Sequence, residues 1–321
     1  MQSIIAISDL RKRFPNKGGF VDVLQGVDLE VFPGEIFGFL GPNGAGKTTT
    51  LKILTTLLPF DSGKVIIDGL CLLEHQDEVR KQIGYVSQKG GADTRATGWE
   101  NLLLQGRLYG MSKKKASIQA ESLIEIFSLS ECIHRIVSTY SGGQQRRLDI
   151  ALGMMHKPKI LFLDEPTNGL DPQNRANLWA KIRGLKAEGI TIFLTSHYLD
   201  EVDELSDRLA IMDHGKIVAK GTPSELKKQI SGDIVTIGFS KIVHQKAKEL
   251  FAFNHLFIRE AIWENQDLRL YVDQEESALL DILRLLDQAS IPLETINMSL
   301  PSLNDVFLKK TGRLLREEVQ S

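Results

Sequence analysis

The sequence predicts an α/β protein: a mainly parallel sheet covered by helices on both faces, with a helical insertion between two strands and a small α+β module at the C-terminal end. Three observations predict it. Short apolar and β-branched runs alternate with helical stretches through the first 221 residues. Between about residues 98 and 156 strand texture disappears, and Leu and Ile recur at helical spacing. After Gly221-Thr222-Pro223 the order becomes strand, helix, strand, strand, helix, strand. The length, 321 residues, suits about two domains at ~150 residues each.

Ser3–Ser8 and Val27–Phe32 read as short strands. The Pro33-Gly34 turn leads into Glu35–Leu40, a buried strand that ends at a glycine-rich loop. Thr48–Leu57 has helical character; Lys64–Asp68 and Ile83–Val86 read as strands. ENLLLQGRLYG and KKKASIQAESLIEIFSL supply the helical insertion. Strand texture returns at Lys159–Leu163 and Ile190–Thr195, with a helix over Gln173–Glu188 between them. Leu209–Met212 and Lys216–Lys220 flank Asp213-His214-Gly215 as a hairpin. In the tail, strands over Asp233–Phe239, Phe257–Glu264, Leu268–Val272 and Leu293–Met298 and helices over His244–Asn254 and Glu275–Ser290 follow the ferredoxin-like order. A last helix spans Leu303–Thr311.

Hydrophobic residues make up 42% and charged residues 25%, which excludes disorder as the main state. With 39 basic and 41 acidic residues the chain lacks the basic surface that bulk nucleic-acid binding needs, so no nucleic-acid partner is expected. Cys71 and Cys132 form neither a metal-ligand spacing nor a disulfide framework. No apolar run approaches the ~18 residues that span a bilayer, and Met1–Phe14 carries charges where a signal peptide is apolar. The chain is therefore expected in the cytoplasm, with any membrane role supplied through a partner. Lys113–Lys115 read as a solvated helix start, and His134, His156, His214, His244 and His255 as ordinary polar positions.

Gly41-Pro42-Asn43-Gly44-Ala45-Gly46-Lys47-Thr48 fits G-x-x-x-x-G-K-[ST] between a strand and a helix. Glycines let backbone N–H groups approach phosphates, and the helix N-terminus adds positive partial charge. Lys47 is placed to bridge β- and γ-phosphates and the Thr48 hydroxyl to ligate Mg²⁺. Ile160–Leu163 runs into Asp164-Glu165. Neighbouring strand residues face opposite ways, so the acids divide the work: Asp164 to hold Mg²⁺, Glu165 to polarise the attacking water. Tyr140-Ser141-Gly142-Gly143-Gln144 opens a helix and forms a second anion site. Two anion sites in one chain face one nucleotide only if two chains meet head to tail.

The set as a whole resembles an ATP-binding cassette (ABC) transporter ATPase subunit: GPNGAGKT at Gly41–Thr48, YVSQ ending at Gln88, YSGGQ at Tyr140–Gln144, ILFLDE at Ile160–Glu165, GLDP at Gly169–Pro172 and TSH ending at His197. The likeness covers about Ser3 to Gly221. The tail resembles the C-terminal extension of the daunorubicin/doxorubicin exporter type through LPSLNDVFLKKTG at Leu300–Gly312, supported by TGWENL at Thr97–Leu102 and RRLDIAL at Arg146–Leu152. The resemblance implies a RecA-like cassette with mixed sheet over 1–221, its helical subdomain at about 98–156, and an extension over 222–321. It implies ATP and Mg²⁺, with Phe14 stacking on adenine and Gly41–Thr49 holding phosphates (Gly41, Pro42, Asn43, Gly44, Ala45, Gly46, Lys47, Thr48 and Thr49). Gln88 matches the residue that senses Mg²⁺ and water, and His197 the histidine that contacts the γ-phosphate. Ser141, Gly142, Gly143 and Gln144 match the signature that closes on the opposite subunit's ATP, and Asp171 matches an interface aspartate. Two departures stand out: Phe14 lacks the hydroxyl of the commoner Tyr, and Tyr140 replaces the commoner Leu. The implied function is ATP-driven export through a separate membrane permease, as a homodimer on the cytoplasmic face of the membrane. The alternatives are a soluble ABC ATPase without a transport role, or an importer ATPase.

Overall fold

The computed structural model describes residues 2–230, 233–251, 258–264, 267–272 and 278–312. Its first element is a long hairpin, β1 (Ile5–Asn16) against β2 (Gly19–Val31). The expected strands Ser3–Ser8 and Val27–Phe32 cover only its buried end. Pairing is interrupted at Asp9, whose φ is 47°, and resumes through Arg11, Lys12 and Arg13 to the turn. That outer stretch is largely exposed, so hydrophobic alternation stops while the ladder continues.

β3 (Ile36–Leu40) is buried throughout and leads through the glycine-rich loop into α1 (Lys47–Leu54). α1 stops short of Leu57 because Thr56 takes a φ of 62° and Leu57 N–H returns to Lys52 O at 2.8 Å. β4 (Ser62–Ile67), β5 (Leu70–Cys71), α2 (Gln76–Gln82) and β6 (Ile83–Val86) follow. The pattern missed β5 and α2, which are too short to establish a period.

The insertion consists of α3 (Gly98–Leu108), α4 (Lys113–Ile126) and α5 (Gly142–Met154). Each begins at a hydroxyl cap. Thr97 with Glu100 and Ser141 with Gln144 form reciprocal capping boxes, and Ser112 accepts from Lys115 N–H. The chain then adds β7 (Ile160–Asp164), α6 (Pro172–Ala187), β8 (Thr191–Ser196), α7 (Leu199–Leu205), β9 (Arg208–Asp213) and β10 (Lys216–Gly221). Asp171 caps α6 and Pro172 fills its first position, where a missing N–H costs nothing.

Two sheets result. β2-β1-β4-β5 is antiparallel, and β10-β9-β3-β8-β7-β6 is parallel except for the β9–β10 hairpin. The parallel strands β3, β7 and β8 are buried along their whole length, as expected when helices cover both faces. Phe162 packs on Phe193 at 5.6 Å between ring centres, and Phe37 and Phe39 pack on the same ring. All the parallel strands end at one edge, where the loops after β3, β6, β7 and β8 gather.

The structure divides after Pro223 into two compact units. The short helix α8 (Pro223–Lys228) starts at the division. The second unit holds β11 (Asp233–Gly238), α9 (His244–Phe251), β12 (Ile258–Glu264), β13 (Asp267–Val272), α10 (Ala278–Gln288), β14 (Thr295–Ser299) and α11 (Leu303–Thr311). Its sheet order, β12-β13-β11-β14 with every pair antiparallel, is that of the ferredoxin-like arrangement. Val235, Ile237, Leu268, Leu270 and Val272 pack with Ala247, Phe251, Ala278, Ile282 and Leu286. α11 is tied to the sheet by Arg269–Asp305 at 2.7 Å and Lys309–Glu260 at 3.4 Å. The expected helix ends at 252–254 and 275–277, Phe257 and His255 lie outside the described residues.

Candidate functional site

Four loops converge at the carboxyl ends of the parallel strands. The loop after β3 is closed by Gly46, the N-cap of α1, at a φ of 111°. A Cβ there would stand 2.8 Å from Leu24 Cδ2, so both conformation and space require glycine. Lys47 is 4% exposed and folds back over the loop, its Nζ donating to Gly41 O at 2.7 Å and Pro42 O at 3.0 Å.

The acids separate, though not by strand alternation. Asp164 is the last residue of β7, whereas Glu165 leaves the strand with a φ of 46°. Left-handed backbone at a non-glycine residue costs about 1–2 kcal/mol and persists only where its surroundings hold it. Asp164 Oδ1 accepts from Thr195 Oγ1 at 2.6 Å and lies 3.4 Å from Thr48 Oγ1. Glu165 turns toward the phosphate loop. Its Oε1 lies 4.0 Å from Lys47 Nζ and 3.2 Å from His197 Nδ1, and its Oε2 accepts from Gln88 Nε2 at 2.7 Å and Asn168 Nδ2 at 3.3 Å. Burial pushes the Glu165 carboxyl upward, but His197, Lys47 and Arg146 together pull it below the ordinary glutamate value. It is an anion at neutral pH, with a base's lone pairs.

Lys47, Thr48, Gln88 and Glu165 line a cleft of about 330 Å³ together with Pro42, Asn43, Gly44, Gly46, Thr49 and Val23. Of the residues expected from sequence, Lys47, Thr48, Gln88 and Glu165 therefore converge on the cleft, with Asp164 beside Thr48 and His197 beside Glu165. Phe14 does not line the cleft. It is half-buried on β1, with Lys12 Nζ 5.4 Å from its ring centre. Ser141 caps α5 through the exchange with Gln144, and Asp171 caps α6 by accepting from Asn174 N–H at 3.0 Å; neither lines the cleft. Tyr140 OH donates to Cys132 O at 2.6 Å, which anchors the residue before the cap.

Sequence reasoning missed three participants. Thr195 orients Asp164 and also accepts from Glu165 N–H at 3.1 Å; Asn168 holds Glu165; Val23 forms a cleft wall from β2. Thr195 sits inside the quoted TSH and was within reach of the sequence. Val23 was not, because only the length of the hairpin brings it there.

A phosphate-cradling loop facing a buried carboxylate, on a parallel sheet interrupted by a helical insertion, defines a P-loop ATPase of the cassette class. The known proteins agree. Residues 24–168 match the ABC transporter family, and residues 221–311 match the C-terminal domain of the ATP-binding proteins DrrA1-3. The chain is 38% identical over 311 residues to the daunorubicin resistance ATP-binding protein DrrA3 of Streptomyces coeruleorubidus, covering 96% of each. It is 40% identical over 316 residues to the doxorubicin resistance ATP-binding protein DrrA of Mycobacterium tuberculosis, covering 96% of this chain and 93% of that protein. It is 35% identical to the Nod factor export ATP-binding protein I of Rhizobium sp., over 96% of this chain and 97% of that protein. Among solved structures, the ADP conformation of MJ1267, an ATP-binding cassette of an ABC transporter, superposes at TM-score 0.62 with 28% identity over 70% of this chain and 93% of that one. A dimeric bacterial ABC transporter cassette superposes at 0.63 with 25% identity, over 68% and 98%. This chain belongs to the ABC transporter ATP-binding proteins of the daunorubicin/doxorubicin resistance type. It binds nucleotide and is an ATPase.

Proposed function

We propose that the chain powers export of a substrate through a separate membrane permease, as one of two cassettes that pair head to tail around two ATP molecules on the cytoplasmic face of the membrane. The observation that carries this reading is the buried Glu165 carboxylate, set between Lys47, Gln88 and His197 at the mouth of the phosphate loop. Among the described residues no helix is long and apolar enough to cross a membrane; the path through the bilayer is assigned to the permease. The names of the relatives, which include drug-resistance and Nod-factor export proteins, favour the outward direction.

In this mechanism Gly41–Thr49 cradle the phosphates and Lys47 leaves its two carbonyls to bridge the β- and γ-phosphates. Thr48, Asp164 and Gln88 offer a hydroxyl, a carboxylate and an amide oxygen, a hard-oxygen donor set that suits Mg²⁺. When bound, that ion neutralises charge on the phosphate oxygens. Glu165 polarises the attacking water, and His197 steadies charge at the γ-phosphate. Phe14 is assigned to the adenine ring; its partner on the adjoining strand is Val21, two residues before Val23. Ser141, Gly142, Gly143 and Gln144 serve the partner's ATP, and Asp171 spans the interface. ATP thus favours the closed pair and hydrolysis removes that preference, which the helical subdomain at about 98–156 passes to the permease. We assign residues 1–221 to the ATPase domain and 222–321 to the C-terminal extension; the division of the structure after Pro223 supports this.

ATP hydrolysis by the purified chain, with and without the membrane protein encoded beside it, in lipid vesicles, tests the proposal. Stimulation by that protein is expected. Robust hydrolysis that ignores any membrane partner would replace transport with a soluble role.

A further inference from the structure

Arg146 stands in the second turn of α5, five residues after Ser141, and is 7% exposed. A buried guanidinium is costly unless its donors are satisfied, and its rigid fork dictates where the acceptors lie. Nε donates to Pro166 O at 2.8 Å, Nη2 to Asp164 O at 2.9 Å and Nη1 to Ser87 O at 2.7 Å. Two of these carbonyls flank Glu165 in the chain; the third immediately precedes Gln88. One side chain therefore fixes the separation of the two residues whose side chains meet at 2.7 Å. The left-handed backbone of Glu165 is the kind of conformation that needs such bracing.

The same helix also holds the far end of the Gln88 loop. Asp149 accepts from Gly91 N–H at 2.9 Å and Ala92 N–H at 3.2 Å. Gly90 lies so close that a Cβ there would stand 2.4 Å from Asp149 Oδ2. Both ends of residues 87–92 are thus fastened to the first turns of α5.

We propose that Arg146 is a positioning residue for hydrolysis. It sets Glu165 and Gln88 against each other and, through the helix that Ser141 caps, ties their placement to that of the signature. A displacement of α5 when the signature engages the partner's nucleotide is then felt at the chain's own Glu165. The inference rests on the reading of Glu165 as the residue that activates water.

The test uses the full chain with Arg146→Lys, Arg146→Met and Glu165→Gln. Lysine keeps the charge, but one ammonium on a flexible stem cannot reproduce the planar fork across three carbonyls. If the methionine variant does not fold, the lysine variant carries the test alone. Melting temperature, equilibrium affinity for a fluorescent ATP analogue with Mg²⁺, kcat and KM are measured. For folded Arg146→Lys we expect the parent's affinity and KM with kcat lower by about 10²-fold, the scale of loss for a misplacement of about 1 Å. A kcat within about twofold of the parent, in a folded Arg146→Lys chain and alongside an inactive Glu165→Gln, overturns the inference. So does a loss of kcat matched by an equal loss of affinity. A Glu165→Gln chain that turns over at the parent rate sinks the reading of Glu165 itself, and this inference with it.

Discussion

Glu165→Gln keeps the volume of the side chain and removes its charge. The parent carboxylate is 9% exposed, with Lys47 Nζ at 4.0 Å and three further polar groups, from His197, Gln88 and Asn168, around it. At 4.0 Å and an effective dielectric of ~20, its attraction to Lys47 is about 4 kcal/mol. Neutralising it frees the lysine for phosphate and removes a negative charge beside bound ATP. Affinity should therefore equal or exceed that of the parent. Chemistry should suffer: positioned general-base catalysis contributes about 10²–10⁴-fold, or roughly 3–5 kcal/mol of barrier. Single-turnover hydrolysis of γ-labelled ATP with the protein in excess isolates this step. The expected result is a rate lower by about 10²–10⁴-fold with nucleotide affinity preserved. A rate within about threefold of the parent would refute the role of Glu165, and a rate that fell only in proportion to affinity would make it a binding group.

Lys47→Ala removes the donor that the phosphate loop holds over Gly41 O and Pro42 O. At about 1.5–3 kcal/mol for a charged hydrogen bond, ATP affinity should weaken roughly 10- to 100-fold in equilibrium titration, and an unchanged Kd would contradict the assignment. Phe162→Ala empties a site that is 0% exposed and packed on Phe193, so urea unfolding should report a loss of about 3–5 kcal/mol; under about 1 kcal/mol would place Phe162 outside the core. His156 stacks on Tyr109 with ring centres 3.8 Å apart, and burial lowers its pKa, partly offset by its bond to Ile83 O. Its unfolded value, 6.5, is the higher one, so between the folded value and 6.5 the unfolded chain binds more protons. Its contribution to stability is complete above pH 6.5 and declines as the pH falls through that window. Thermal melts of the parent and His156→Gln should accordingly run at a constant separation above pH 6.5 and converge on acidification; a separation independent of pH would show that His156 is not buried neutral.

The amino-acid sequence by itself determined the local motifs. Gly41–Thr48, Asp164-Glu165, Ser141–Gln144 and the run ending at His197 were legible because each is a contiguous stretch whose residue types meet one local requirement. A phosphate cradle needs glycines and a lysine on one turn; a capped anion site needs a hydroxyl before a helix. The order of sheet and helix was legible for the same reason, since periods of 2 and 3.6 are local properties. The outer half of the first hairpin escaped because its exposed ladder carries no hydrophobic alternation, and α7 and α2 were too short to show a period. Tertiary structure alone decided that Glu165 leaves its strand left-handed, that Val23 walls the cleft, and that Arg146 grips carbonyls at 87, 164 and 166. The Arg146 contacts join residues 18 to 59 positions apart through backbone oxygens. Every residue type carries such an oxygen, so its position in space leaves no mark in the order of side chains.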